Sequence, residues 1–208
     1  NKKVYKKSKA DWELLSDDFL TVLRLEQQKY NAPKLSDIPS FTGGLVGYMG
    51  YESVVWVEDI PIYDHDELVC PDAIFMLFKN IIAFDHLKNQ IILFSNIQIE
   101  EYDSLEIAYK DANTQIDSMG ENLHTDIDYD TPVKSKSSKL FSNFTKDSYC
   151  SAVDKAKSYI NSGDVFQLVL SQRFNRETEA DSLNIYRALR SINPSPYMFH
   201  LQLSDFNI

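Results

Sequence analysis

Basic charge is what this sequence is shortest of. Lys and Arg total 21 against 31 Asp and Glu, a formal net charge of -10. A nucleic-acid surface needs clustered cations, so nucleic acid is not an expected partner. The one basic run, Lys2, Lys3, Lys6, Lys7 and Lys9, is short and polar and reads as a solvated end. Cysteine is nearly absent too. Cys70 and Cys150 stand alone with no CxxC or Cys/His cluster, which argues against structural zinc and fits a reducing cytoplasm. No apolar run approaches the roughly 18 residues of a membrane span, so no membrane partner is expected. The start, Asn1–Lys2–Lys3–Val4–Tyr5, has no apolar leader stretch. It also lacks an initiator Met, and the expectation is that the chain begins inside a longer product.

Catalytic signatures are missing as well. There is no G-x-S-x-G, H-E-x-x-H or phosphate-loop pattern. His65, His86, His124 and His200 are scattered, each without a nucleophile or ligand near in sequence. His65 reads as a surface turn. His200 either faces a pocket or packs on a strand. Asp126, Asp128 and Asp130 alternate like a calcium loop, but Gly is missing at the sixth position and Ser137 stands at the twelfth. An acidic solvated loop is the reading there. No catalytic residue and no metal ligand is nominated.

What is present suffices for a packed core: hydrophobic residues make up 43% and aromatics 12%. The three- and four-residue spacing of Trp12, Leu15, Phe19, Val22 and Leu23 predicts a helix over 11–30, ended by Asn31–Ala32–Pro33. The glycine-dense stretch from Phe41 to Glu52 reads as a strand closely approached by another backbone, with Gly44, Gly47 and Gly50 wrongly spaced for a dinucleotide fingerprint. Ala73–Phe78, Ile81–Phe84 and Gln90–Ser95 read as strands, the last two joined by a hairpin at Asp85–Asn89. A helix is predicted over 100–120 with Gly120 as its C-cap. The stretch 121–144 is polar and is the best linker candidate.

Thr145 should cap a helix whose stripe is Tyr149, Ala152, Val153, Ala156, Tyr159 and Ile160, stopped at Gly163. Val165–Phe174 alternates and predicts a ten-residue strand. Its second face, Gln167, Val169, Ser171 and Arg173, either lines a site or meets solvent. Asp181 or Ser182 should cap a short helix. Asn193–Pro194–Ser195–Pro196 must end it, because two prolines fix two φ angles and remove two N–H donors. The alternation from Tyr197 to Gln202 predicts a further strand. The stiff elbow is either a binding edge for a small apolar-aromatic ligand or a plain helix-to-strand corner.

The blocks Tyr159 to Phe174, Tyr186 to Phe199 and Gly43 to Glu52 resemble anthranilate synthase component I, a chorismate-utilising enzyme. The resemblance implies an α+β fold with large, mainly antiparallel sheets and flanking helices. It implies conversion of chorismate and ammonia to anthranilate and pyruvate in tryptophan biosynthesis. It further implies a Mg²⁺ cofactor, a glutamine amidotransferase partner, and feedback inhibition by tryptophan held at Pro196, Tyr197 and Met198. On this likeness residues 1–120 form a regulatory and partner-binding region, 121–144 a linker, and 145–208 the start of a chorismate-binding domain. A Leu–Leu–Glu–Ser block of the family is missing before Asn1. The family's catalytic His and Mg²⁺-binding Glu residues are expected after Ile208, so this stretch alone should be inactive. Aminodeoxychorismate synthase component I is the alternative enzyme, and a non-catalytic binding module with the same fold the alternative class.

Overall fold

The computed structural model describes residues 3–8, 11–15, 18–33, 35–61, 68, 70–126 and 138–208. The chain divides into two units, Asn1–Ile127 and Asp128–Ile208.

In the first unit β1 (Val4–Ser8) pairs antiparallel with β2 (Asp11–Leu15), Lys6 opposite Glu13. Residues 11–15 are therefore strand, not the start of a helix. Two lysines of the basic run are held by β1: Lys6 donates to Glu26 at 2.8 Å and Lys7 lies 5.4 Å from the centre of the Trp12 ring. The helix begins later, at α1 (Phe19–Gln28), where the Asp18 carboxylate accepts from Thr21 N. That bond holds the Asp18 carboxyl below its ordinary range. Phe19 seats the helix, with its ring 5.0 Å from that of Trp56 and 5.9 Å from that of Phe75.

β3 (Gly44–Met49) pairs antiparallel with β4 (Ala73–Phe78), placing Gly47 opposite Phe75. A Cβ at Gly47 would run into the Ile74 carbonyl and the Phe75 backbone, so the close approach read from the sequence is real at this position. A 3-10 turn covers Tyr51–Trp56. β5 (Asn80–Asp85) and β6 (Gln90–Ser95) form the expected hairpin. Asp85 Oδ1 caps its turn by accepting from Leu87 N and Lys88 N, both at 3.0 Å, and Asn89 takes φ 52°.

α2 (Leu105–Asn122) packs on β6 and buries Ala108. Gly120 lies inside this helix, not at its end, because α2 runs on to Asn122. One interior glycine costs about 1 kcal/mol against alanine, which an 18-residue packed helix tolerates. Asp111 Oδ2 on α2 accepts from Tyr102 Oη at 2.5 Å and Gln115 Nε2 at 2.7 Å, and Gln115 Oε1 accepts from Asn80 at 2.8 Å. The bond to Asp111 raises the Tyr102 phenol.

In the second unit β7 (Phe141–Ser142) pairs antiparallel with β8 (Phe174–Asn175). α3 (Lys146–Ser162) begins with a reciprocal capping box between Thr145 and Ser148. Phe144, just outside it, meets Tyr149 edge-on at 5.7 Å, a hydrophobic staple. Gly163 at φ 82° ends it, with Gly163 N donating to Ile160 O and Asp164 N to Tyr159 O. Tyr149, Ala152, Val153 and Ala156 are half-buried, whereas Tyr159 and Ile160 are exposed. α4 (Ser182–Ile192) follows, capped by Asp181.

The architecture is mixed helix and strand, with helices flanking antiparallel ladders. Each ladder has two strands among the described residues, so the large sheets expected are small here. The ten-residue strand expected over 165–174 pairs only at Phe174. Alternation predicts an extended backbone, but a strand also needs a hydrogen-bonded neighbour. Asn143 N donates to Arg173 O at 3.2 Å, but no described segment supplies a neighbour to 165–172. Within the polar stretch 121–144, residues 127–137 lie outside the described residues, as do His65, Asp128, Asp130 and Ser137.

Candidate functional site

α4 aims the elbow. Asn193 N donates to Leu189 O at 2.8 Å, the last helical bond, and Asn193 itself is already extended at φ -139° and ψ 72°. Pro194 forces this, because its ring excludes α conformation at the residue before it. Pro196 and Tyr197 form the following turn, with Tyr197 N donating to Ser195 Oγ at 3.4 Å. The three nominated residues, Pro196, Tyr197 and Met198, are thus consecutive on one exposed turn. Tyr197 is 87% exposed and Met198 half-buried. A flat ring and a polarisable thioether side by side on stiff backbone suit an aromatic ligand.

The strand expected after the elbow does not form. The chain instead closes a small hairpin in which Leu201 and Ile208 exchange bonds of 2.7 and 2.9 Å and Leu203 N donates to Phe206 O at 3.0 Å. Leu203 is its buried residue. His200 packs against α4: its Nε2 shares a 3.0 Å hydrogen bond with Ser182 Oγ, and its ring lies 5.9 Å from that of Tyr186. Sequence reasoning missed Ser182 and Tyr186 as its partners, since nothing local links positions 18 residues apart.

From the second face Arg173 bonds through its backbone, its N donating to Asn143 Oδ1 at 2.9 Å, and on the opposite face Gln172 Nε2 donates to Ser142 Oγ at 2.8 Å. Gln167 and Ser171 are exposed. His86 and His124 lie in turns. Among the described residues no group of three His, Cys, Asp or Glu side chains could hold a metal ion. Among them, too, no helix is long and apolar enough to cross a membrane. Cys70 and Cys150 are free and exposed.

The first unit contains an open cleft of about 770 Å³. Leu23 and Tyr30 come to it from α1 and its exit, Phe41 and Leu45 from the glycine-dense segment, and Ile97 and Ile99 from beyond β6. Asn96 holds its rim by donating to Thr42 O at 2.6 Å and Lys79 O at 2.9 Å. No sequence signal announces this cleft, because its wall is assembled from distant segments. The shifted groups of this unit have local causes: burial raises the Tyr48 phenol, beside Cys70 and Asp72.

Comparison with known proteins places these features. A family described as chorismate binding enzyme matches residues 2–208. Anthranilate synthase component 1 of Acetivibrio thermocellus is 36% identical over 192 residues, covering 86% of this chain and 37% of that protein. A probable anthranilate synthase component 1 of Schizosaccharomyces pombe is 34% identical, covering 92% and 40%. The crystal structure of anthranilate synthase component I from Streptococcus pneumoniae TIGR4 superposes with a TM-score of 0.76 at 27% identity, covering 94% of this chain and 43% of that one. The chain spans well under half the length of these relatives. With its whole described length inside the match, the chain belongs to the chorismate binding enzyme family.

Proposed function

We propose that this chain is part of an anthranilate synthase component I, which converts chorismate and ammonia to anthranilate and pyruvate in the cytoplasm. The observation that carries the reading is the similarity to anthranilate synthase component I in both sequence and structure, at 36% identity and a TM-score of 0.76. The relatives named with the match are anthranilate synthases, so the aminodeoxychorismate alternative is not favoured. A protein called component I works with a second component, and ammonia drawn from glutamine makes an amidotransferase the partner. Residues 1–120 are the regulatory and partner-binding region in this reading, 121–144 the linker, and 145–208 the opening of the chorismate-binding domain.

The described residues of this chain do not fit Mg²⁺, since no three-ligand group is present among them. In this reading Mg²⁺ and the bond-breaking chemistry are supplied by other parts of the enzyme, and the contribution of this chain is regulatory. Tryptophan is the proposed ligand of the elbow. The Tyr197 ring offers an edge or face to the indole, the Met198 sulfur a polarisable contact, and Pro194 and Pro196 hold both in place with little entropy left to lose.

The test uses the longer protein that contains this chain, supplied with chorismate, Mg²⁺ and an ammonium salt. Anthranilate fluorescence should appear, and tryptophan should suppress it. Met198→Ala should raise the half-inhibitory tryptophan concentration about tenfold, the worth of about 1.4 kcal/mol of contact, with kcat unchanged. Accumulation of aminodeoxychorismate would move the protein to the folate-pathway reading. Unaltered inhibition in Met198→Ala would remove tryptophan from the elbow.

A further inference from the structure

The elbow is fixed at both ends against one helix. At its start Asn193 N is tied to Leu189 O at the C-terminus of α4. At its end His200 bonds at 3.0 Å to Ser182, the first residue of the same helix, and lies against Tyr186 one turn further in. An 11-residue helix is about 16 Å long. The seven steps from Asn193 to His200 could reach about 23 Å if fully extended. The elbow and its return therefore have the reach to run back along α4, and the turn at Pro196–Tyr197 takes up the excess length. Tyr197 and Met198 sit inside this closed loop, two and three residues from the side chain that closes it.

We propose that His200 is a positioning residue for the inhibitor site: latched to Ser182 and Tyr186, it sets where Tyr197 and Met198 are presented. This rests on the elbow being the tryptophan site, which nothing else in the loop requires. His200 touches neither substrate nor inhibitor in this role. It acts by removing the freedom of the segment that does, so its loss lowers affinity through the conformational fraction competent to bind.

The test has two readouts on the longer protein. With ¹³C-methyl-labelled methionine, the Met198 resonance in the absence of ligand should shift or broaden in His200→Ala and in Ser182→Ala, and return towards wild type in His200→Gln, which keeps a hydrogen-bonding group. A Met198 signal indifferent to all three would overturn the latch whatever the ligand is. In the inhibition assay His200→Ala should raise the half-inhibitory tryptophan concentration about tenfold, with kcat and the KM for chorismate unchanged and His200→Gln restoring most of the loss. Adding Ser182→Ala to His200→Ala should cost little more, since both remove one contact. If Met198→Ala weakens inhibition and His200→Ala does not, the positioning role is wrong while the site stands. If the methyl signal moves as described but neither substitution affects inhibition, the latch stands and the ligand assignment falls. A parallel fall of kcat in His200→Ala and His200→Gln would also overturn the role, because general damage to the domain explains it.

Discussion

Glu26 accepts from two ammonium groups, Lys6 at 2.8 Å and Lys29 at 2.7 Å, and so ties β1 to α1. Partial burial pushes its carboxyl up, but the bonds from Lys29 and Lys6 outweigh this and leave it below the ordinary range. The same contact, led by the bond to Glu26, raises Lys6. A carboxyl depressed on folding adds stability above its unfolded pKa, and that stability disappears as pH falls through the folded value. A raised lysine contributes below its unfolded pKa and loses its share as pH rises through the folded one. The pair is therefore at full strength between the carboxylate and ammonium ranges, roughly pH 5 to 10. It is exposed at the Lys6 end, so its worth is at most about 1 kcal/mol. Unfolding free energies of wild type and Glu26→Gln, taken from urea titrations, should differ by that amount at pH 7 and converge as pH falls below 4. A gap that stays constant over this range would show that packing, not charge, is what Glu26 supplies.

At the scale of elements, local chemistry decided the ends and pairing decided the rest. α3 shows the first case: the box of Thr145 and Ser148, the staple of Phe144 on Tyr149 and the left-handed Gly163 all close the helix locally. Thr145→Ala removes the acceptor for Ser148 N and should cost about 1 kcal/mol, with faster hydrogen exchange confined to the first turn of α3. Exchange that accelerates evenly along the helix would mean the cap governs the whole unit. These caps were legible because they need only neighbours in sequence, as was the Asp85–Asn89 hairpin. β2 was not: Trp12 and Leu15 fit a helical spacing with Phe19 and Val22, and only the partner strand β1 decides against it. Residues 165–172 fail the opposite way, with a strand's alternation and no strand beside them among the described residues. Pro194 and Pro196 made the elbow readable for the same reason as the caps, whereas its clasp from His200 to Ser182 depends on the chain turning back.

For the molecule as a whole, burial is the unusual quantity. Among the described residues Ala108 and Leu203 are the only apolar side chains that are truly buried. Phe166 is 96% exposed, Val169 82% and Ile192 81%, all in the second unit, and Tyr197 of the elbow is 87% exposed. Burying one such side chain is worth about 1.5–3 kcal/mol, and residues 165–172, with no ladder partner among the described residues, add open hydrogen-bonding edge. A surface of this kind draws in apolar dyes and other copies of the chain, since contiguous apolar patches are rarely left bare on soluble monomers. The 208-residue chain on its own should therefore enhance anilinonaphthalene sulfonate fluorescence several-fold and sediment as a mixture of species. Phe166→Ser with Val169→Ser should reduce both effects, because the two side chains stand three residues apart on the unpaired stretch. A dye-silent monomer with a sharp cooperative melt would contradict this, and would require the second unit to bury these side chains by rearranging its own 165–173 segment.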